Sequence, residues 1–306
     1  MSGTVALTGA TGFIGGALRQ ALVQNGFHVR ALTRAPQPTT VNVTWINGTL
    51  ATPAALTSLL DGTHSVIHCA GAVRGKSQEE FDRTNIAGTQ AIISACKSTT
   101  PQPRLLFIST LAARVPDLSW YAASKAGAEH LLHDQGQEMN WTIFRPTAVY
   151  GPGDREMRPL FQWLLRGLLP TPQPAGARFS LLHVDDLTSA VLHWLRHPSP
   201  NHKTFELSDG TAEGYDTAAL AQIVGTELGR RIRVIHLPLW LLRHLAGVNL
   251  CLARITGSSP MLTHGKVREL THLDWVADCS EITRATGWSP RVRFQDALAA
   301  RRLFFT

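Results

Sequence analysis

Tyr121 and Lys125 stand four residues apart in Tyr-Ala-Ala-Ser-Lys, the spacing that brings two side chains to one face of a helix. A phenol that titrates near pH ~10 is a poor acid or base at neutrality, but a neighbouring ammonium favours the phenolate and draws that value down. Each unit needs about 1.4 kcal/mol, within reach of a partly desolvated charge roughly 4–6 Å away. Alone, so short a pattern reads more readily as a helix with an exposed lysine and a half-buried tyrosine. Its surroundings argue for chemistry. Upstream, the apolar run Leu105-Leu106-Phe107-Ile108 ends in two hydroxyls, Ser109 and Thr110, at the carboxyl edge where open parallel sheets bind ligands. A hydroxyl there can hold a substrate carbonyl while Tyr121 delivers a proton. The same two hydroxyls also serve as ordinary strand-end caps.

A second constellation lies near the N-terminus. Val5, Ala6 and Leu7 read as a buried strand, and Ile14, Ala17, Leu18, Ala21 and Leu22 recur at helical spacing. Between them stand Gly9, Gly12 and Gly15, with Thr11, Phe13 and Ile14 in the same turn. The first glycine permits a tight turn, the second lets backbone N–H groups approach a pyrophosphate, and the third lets the helix pack closely on the strand. The pyrophosphate then sits at the positive end of the helix. The spacing G-x-x-G-x-x-G departs from the usual G-x-G-x-x-G fingerprint, and a bare strand-to-helix connection is punctuated by glycine in the same way.

The elements that must position these residues alternate. Strands are expected at 4–8, 27–33, 43–46, 65–69, 104–109 and 141–145, and helices at 12–25, 53–60, 79–97 and 121–135. That order predicts an α/β fold, a doubly wound parallel sheet of Rossmann type. After Arg145 the texture changes, with Gly151, Pro152, Gly153, Pro159, Pro170, Pro172 and Pro174 punctuating shorter elements. The expectation is a dinucleotide-binding domain of residues 1–145 and 181–208, and a smaller, mostly helical substrate-binding region of residues 146–180 and 209–306. Within the latter, Leu237 to Ile255 is interrupted by Pro238, Arg243, His244, Asn249 and Arg254, fails as a membrane span, and is expected to form an amphipathic helix pair. Its apolar face, with Phe161, Trp163, Leu164 and Leu165, is expected either to close over the reaction site as an apolar wall or to form the small region's own core; contact with a bilayer surface stays open.

The 306 residues, 44% of them hydrophobic, can bury a large core. Cys69, Cys96, Cys251 and Cys279 lie far apart without C-x-x-C spacing, which suggests neither a disulfide framework nor a zinc cluster. The first ten residues already read as strand and turn, which leaves no secretory leader, so a reducing cytoplasm is expected. The net charge of +7 suits an anionic ligand or cofactor. Arg230, Arg231 and Arg233 form the densest basic cluster, but no aromatic platform is interleaved, so a solvated face is expected and no nucleic acid. The histidine pairs 64/68, 130/133 and 193/197 lack the carboxylate of an H-E-x-x-H site, and no metal is expected.

Seven pieces in order, Thr8-Gly-Ala-Thr-Gly-Phe-Ile-Gly15, Val66-Ile-His-Cys-Ala-Gly71, Asn85-Ile-Ala-Gly-Thr89, Ile108-Ser-Thr110, Tyr121-Ala-Ala-Ser-Lys125, Arg145-Pro-Thr-Ala-Val-Tyr-Gly-Pro-Gly153 and His183-Val-Asp-Asp-Leu187, resemble the extended short-chain dehydrogenase/reductase superfamily, in the form that includes the NAD-dependent epimerase/dehydratase group. The likeness covers nearly the whole chain. It implies that Tyr121 is the general acid/base, that Lys125 binds the nicotinamide ribose and lowers the tyrosine's pKa, and that Thr110 or Ser109 orients the substrate. Asn85 would be structural, Ala70 and Gly71 would line the adenosine side, Pro146 to Val149 would approach the carboxamide, and Leu50 and Ala72 would complete the cofactor site.

Two departures matter. Where NAD-preferring relatives carry an acid at the end of the second strand, this chain has Thr33 and then Arg34, which suits a 2′-phosphate and favours NADP over NAD. Gly48-Thr49-Leu50 replaces a frequent Gly-Asp-Leu, and Thr49 retains a hydrogen-bonding group. The leading expectation is an NADP-dependent oxidoreductase acting on a carbonyl or secondary alcohol of a small, rather apolar substrate. The alternatives are a nucleotide-sugar epimerase or dehydratase, for which Arg155, Arg158 and Arg178 are candidate diphosphate ligands, and a non-catalytic NADP(H)-binding module, against which the Tyr121–Lys125 pair argues. A homodimer is left open.

Overall fold

A computed structural model of the chain describes residues 3–197 and 201–300. Residues 1, 2 and 301–306, at the outer ends of the two expected regions, and 198–200 lie outside it.

The first half runs β1 (Thr4–Thr8), α1 (Phe13–Gln24), β2 (His28–Thr33), β3 (Val43–Asn47), α2 (Pro53–Leu60), β4 (Ser65–His68), α3 (Gln78–Lys97), β5 (Arg104–Ile108), α4 (Trp120–Gln135) and β6 (Trp141–Pro146). There follow β7 (Ala148–Tyr150), α5 (Arg158–Leu165), β8 (Leu168–Thr171), β9 (Arg178–Phe179), β10 (Leu181–His183), α6 (Val184–Arg196) and β11 (Lys203–Leu207). The remainder is α7 (Thr217–Leu228), β12 (Arg233–His236), α8 (Leu239–Thr256), α9 (His264–Leu270), β13 (Asp274–Trp275), α10 (Ser280–Thr286) and α11 (Phe294–Ala299).

Seven strands form one sheet in the order β11-β6-β5-β4-β1-β2-β3, and every neighbouring pair is parallel. The chain winds outward from β1 through β2 and β3, then returns to β4 on the other side, so the order reverses between β1 and β4. That is where an open α/β sheet leaves a crevice beyond its strand ends. One face of the sheet is covered by Leu18 and Leu22 of α1 with Leu187, Val191 and Trp194 of α6. The other is covered by Leu56 and Leu59 of α2, Ile92 and Ile93 of α3, and Ala128 and Leu132 of α4. Strands buried on both faces read as unbroken apolar runs, as Leu105-Leu106-Phe107-Ile108 does. Ser77 caps α3 by accepting the Glu80 N–H, Ser119 caps α4 by accepting that of Ala122, and Glu79, Glu80 and Lys97 sit at the ends of α3 that suit their charges.

Outside the sheet, a second apolar cluster gathers Tyr150, Phe161, Leu164, Leu169, Leu181, Tyr215, Leu220 and Phe294. Phe161 and Leu164 are thus core, whereas Trp163 and Leu165 are exposed. Ile282 and Trp288 return to the main cluster against α6, and the Asp186 carboxylate accepts the N–H groups of Arg291 and Val292 at 3.0 and 2.8 Å, so the C-terminal segment is tied to the sheet. Where a helix pair was expected from Leu237 to Ile255, a single helix, α8, runs unbroken. Asn249, Arg243 and His244 are all tolerated in a helix interior, and Pro238 stands at its N-cap, where the missing N–H costs nothing.

The crevice is shaped by close backbone contact. Gly9 has φ +74°, and a Cβ there would lie 2.8 Å from the Ala70 nitrogen; a Cβ at Gly15 would collide with the Gly9 carbonyl. Gly16, one residue on, has nothing nearer than the Ala10 oxygen at 3.9 Å. Gly15→Ala is therefore expected to lose about 1–3 kcal/mol of unfolding free energy in urea melts through overpacking. Gly16→Ala in the same helix is expected to be neutral or to gain up to about 1 kcal/mol from helix propensity.

Candidate active site

Helix α4 places Tyr121, Lys125 and Glu129 at successive four-residue steps on one face. Lys125 is buried; its Nζ donates to the Ile108 carbonyl at 2.8 Å and lies 4.1 Å from the centre of the Phe107 ring. Burial holds its pKa down to about 8, against the charges of Cys69 and Glu129, which act the other way. The Tyr121 phenol is pushed well above its ordinary value, first by burial, with a hydrogen bond to Thr110 opposing and the charges of Glu269 and Cys69 adding to the rise. In the protein alone, then, desolvation outweighs the downward pull expected from Lys125: the ammonium points at a backbone carbonyl, and the phenol stays protonated at neutral pH.

The two hydroxyls at the end of β5 separate. Thr110 turns toward Tyr121. Ser109 is buried and its Oγ donates to Glu129 Oε1 at 2.5 Å, the carboxylate that also accepts Arg145 Nε at 3.0 Å. Ser109 therefore belongs to an ion-pair network behind α4, and Thr110 is the hydroxyl that faces the phenol.

The glycine turn lies beside them at the neighbouring strand ends. The Gly12 N–H donates to the Gly9 carbonyl at 2.9 Å, and α1 starts with neither a side-chain cap nor an acidic residue in its first turn. Its unpaired N–H groups and positive dipole end are free for an anion. A Cβ at Gly12 would meet only the Gly9 oxygen, at 3.4 Å, so the fold itself does not demand that glycine, which fits a surface that another molecule approaches. Across the crevice, Thr8 Oγ1 lies 2.7 Å from His68 Nδ1 and accepts the Ala70 N–H at 3.1 Å. His68 also meets Thr89 at 3.2 Å, and burial pushes its pKa down to about 3, so it is a neutral strut. Asn85 accepts the Ala72 N–H at 2.7 Å, donates to the Ala72 carbonyl at 3.1 Å, and donates to Ser124 of α4 at 2.8 Å. The Ala70–Ala72 segment thereby hangs between β4 and α4, and a Cβ at Gly71 would come 3.9 Å from Lys125 Nζ.

Arg34, directly after β2, is exposed and has no hydrogen-bond or ion-pair partner among the described residues. Leu50 packs on Gly88 of α3. At the end of β6, Pro146 is buried, Val149 half-buried, and the Thr147 hydroxyl is buried without a partner, an orphaned polar group of the kind a ligand amide satisfies. These features fit a dinucleotide: an open helix terminus, a glycine cradle, an unpaired guanidinium and an unsatisfied hydroxyl, all at one sheet edge. Of the arginines considered for a diphosphate, Arg155 and Arg158 are exposed, while Arg178 is engaged with the Glu213 carbonyl and lies 3.7 Å from Asp216.

The pocket beside Tyr121 was not legible in the sequence. Val73, Phe81, Trp120, Pro260 and Met261 surround a pocket at Tyr121, with Ser119, Thr263, Lys266 and Glu269 as its polar groups. Ser119 donates to Glu269, and Lys266 Nζ lies 2.8 Å from the same carboxylate. Ser119 and Glu269 are 150 residues apart, and no local pattern marks either.

Residues 5–207 match the NAD dependent epimerase/dehydratase family. Over 94% of its length the chain is 32% identical to a ceramide reductase of Caulobacter vibrioides, covering 97% of that protein. Over 62% of its length it is 30% identical to a 2-alkyl-3-oxoalkanoate reductase of Stenotrophomonas maltophilia, covering 64% of it. Its fold is shared with MoeE5, solved in complex with UDP-glucuronic acid and NAD, with a TM-score of 0.74 at 21% identity over 97% of both chains. The chain is an NAD(P)-dependent enzyme of the extended short-chain dehydrogenase/reductase type and belongs to the NAD dependent epimerase/dehydratase family.

Proposed function

We propose that this enzyme reduces a ketone on an apolar, lipid-like substrate with NADPH. The observation that carries the reading is the Tyr121 phenol, held protonated by burial and facing a pocket whose walls are Val73, Phe81, Trp120, Pro260 and Met261. A protonated phenol is a donor, the role that carbonyl reduction requires. Five apolar side chains line the pocket beside Ser119, Thr263, Lys266 and Glu269, a lining that offers a hydrophobic ligand apolar contact and a few polar groups to orient it. The relative named a ceramide reductase, matched along nearly its whole length, supports both the direction of reaction and the substrate class.

In this reading the bound nicotinamide supplies the hydride. Tyr121 donates its proton to the carbonyl oxygen, and Thr110, on the phenol's side of the β5 end, orients that oxygen. Lys125 holds the ribose side and, when charged, stabilises the phenolate left behind. Gly9, Thr11, Gly12, Phe13, Ile14 and Gly15 cradle the pyrophosphate. Arg34 pairs with the 2′-phosphate, and Leu50, Ala70, Gly71, Ala72, Pro146 and Val149 enclose the rest of the cofactor.

Tyr121→Phe is expected to lower the reduction rate by roughly 10²–10⁴ while cofactor affinity, followed by calorimetry, stays near the parent's. A variant that retains most of its rate would assign the proton to another donor. For Arg34→Ala, loss of a charge-assisted contact worth about 1.5–3 kcal/mol should weaken NADPH about tenfold or more and leave NADH nearly unchanged. Equal losses for both nucleotides would return the preference to NAD. The pH profile follows from Lys125, which burial brings down to about 8. The ammonium is charged below that value and neutral above it, so kcat/KM for reduction should fall as pH rises through about 8. Lys125→Met should lower the plateau and erase that break.

A further inference from the structure

Residues 228–268 contain seven lysines and arginines, Arg230, Arg231, Arg233, Arg243, Arg254, Lys266 and Arg268, and no aspartate or glutamate, which is the chain's entire net charge of +7. Everything outside this stretch is balanced, at 22 cations against 22 carboxylates. The same stretch holds α8, an 18-residue helix whose inward side packs Leu242 and Ala246 on Val267 of α9. Its outward side is apolar too. Leu245, Val248, Leu252 and Ile255 recur at steps of three, four and three residues, and the last two are 52% and 78% exposed; Trp240, at the first turn, is 70% exposed. No helix among the described residues is long and apolar enough to cross a membrane.

We propose that α8 docks this enzyme on the surface of an anionic phospholipid bilayer, with the Leu245–Ile255 stripe in the headgroup boundary and the net positive charge of residues 228–268 drawn to the anionic leaflet. An exposed apolar helical stripe with a tryptophan at its start, within a stretch of chain whose charged residues are all cations, has the composition of an interfacial helix, and each basic residue near an anionic leaflet contributes to the attraction. Charge selects this occupant over a second copy of the chain. A symmetric contact through α8 would set two carboxylate-free cationic segments against each other, and like charges oppose such an interface.

The placement of α8 gives the docking a use. Pro260 and Met261, five and six residues beyond Ile255, line the pocket at Tyr121, so the docking helix and part of the pocket's wall belong to one stretch of chain. Entry of substrate from the bilayer rests on the proposed reductase function; the docking itself rests only on the stripe and the charge.

The test is flotation of the full chain, with NADPH and without substrate, on vesicles of phosphatidylcholine alone or with about 30% phosphatidylglycerol, an anionic content that produces a cytoplasmic-like surface potential. Binding is expected only with the anionic lipid, and it should weaken in high salt. Leu252→Glu/Ile255→Glu and Arg231→Gln/Arg233→Gln/Arg243→Gln should each lower the partition on the order of tenfold or more, with melting temperatures like the parent's. Absence of anion-dependent binding would overturn the proposal, as would undiminished binding by the first variant. So would a dimer, seen by sedimentation velocity, that Leu252→Glu dissociates while the parent ignores vesicles. Reduction of a water-soluble ketone by the same samples reports the catalytic reading separately: vesicle binding without reduction fails that reading and leaves the docking intact.

Discussion

Everything in this molecule converges on one crowded contact, the approach of the β1–α1 turn to the end of β4. Gly9 lies against the backbone of Cys69 and Ala70, and Gly15 lies against Gly9. With no Cβ on either residue, the start of α1 reaches the sheet and its unpaired N–H groups end at the crevice where strand order reverses. Thr8, His68 and Thr89 pin the same two strand ends from below through buried hydrogen bonds. Neutral His68 suits that position, since a charged imidazole there would carry the full cost of burial.

The groups proposed to react, Tyr121 and Lys125, are attached to this contact through α4. Asn85 bridges Ala72 to Ser124, and Lys125 bonds to the end of β5, so one helix face is held to two strand ends. One turn further along, Glu129 takes Ser109 and Arg145. Such a buried ion pair gains little net stability over an apolar core, but the loss of either partner strands a charge. Its position two turns behind Tyr121 fixes the rotation of α4, and with it where the phenol points.

Desolvation sets the electrostatics. The site is dry enough to hold Lys125 near 8 and to keep the phenol protonated, and the carboxylate of Glu269, delivered by α9, adds to the second effect. The region that builds the pocket thus also tunes the residue at its base. A change in α9 reaches the tyrosine without touching it.

Periodicity and punctuation in the sequence determined most of the sheet. Strands buried on both faces must be apolar throughout, and the helices between them must be apolar on one side, so β1 to β6 and α1 to α4 were legible to within a residue or two. The glycine turn and the Tyr121–Lys125 spacing were legible for the same reason: each is a local demand met by neighbouring residues. Tertiary structure alone decided the rest. The continuity of α8 was hidden because Pro238 and the polar residues after it look like interruptions until the proline is seen to stand at the cap. The division of labour between Ser109 and Thr110 depended on which way each faces at a strand end, set by Glu129 from another element. The balance at Tyr121 turned on burial, which no pairwise spacing reports. Glu269, Lys266 and Met261 reach the site only because α9 packs on the start of α4, across 150 residues of chain, a proximity created by packing and written in no stretch of sequence.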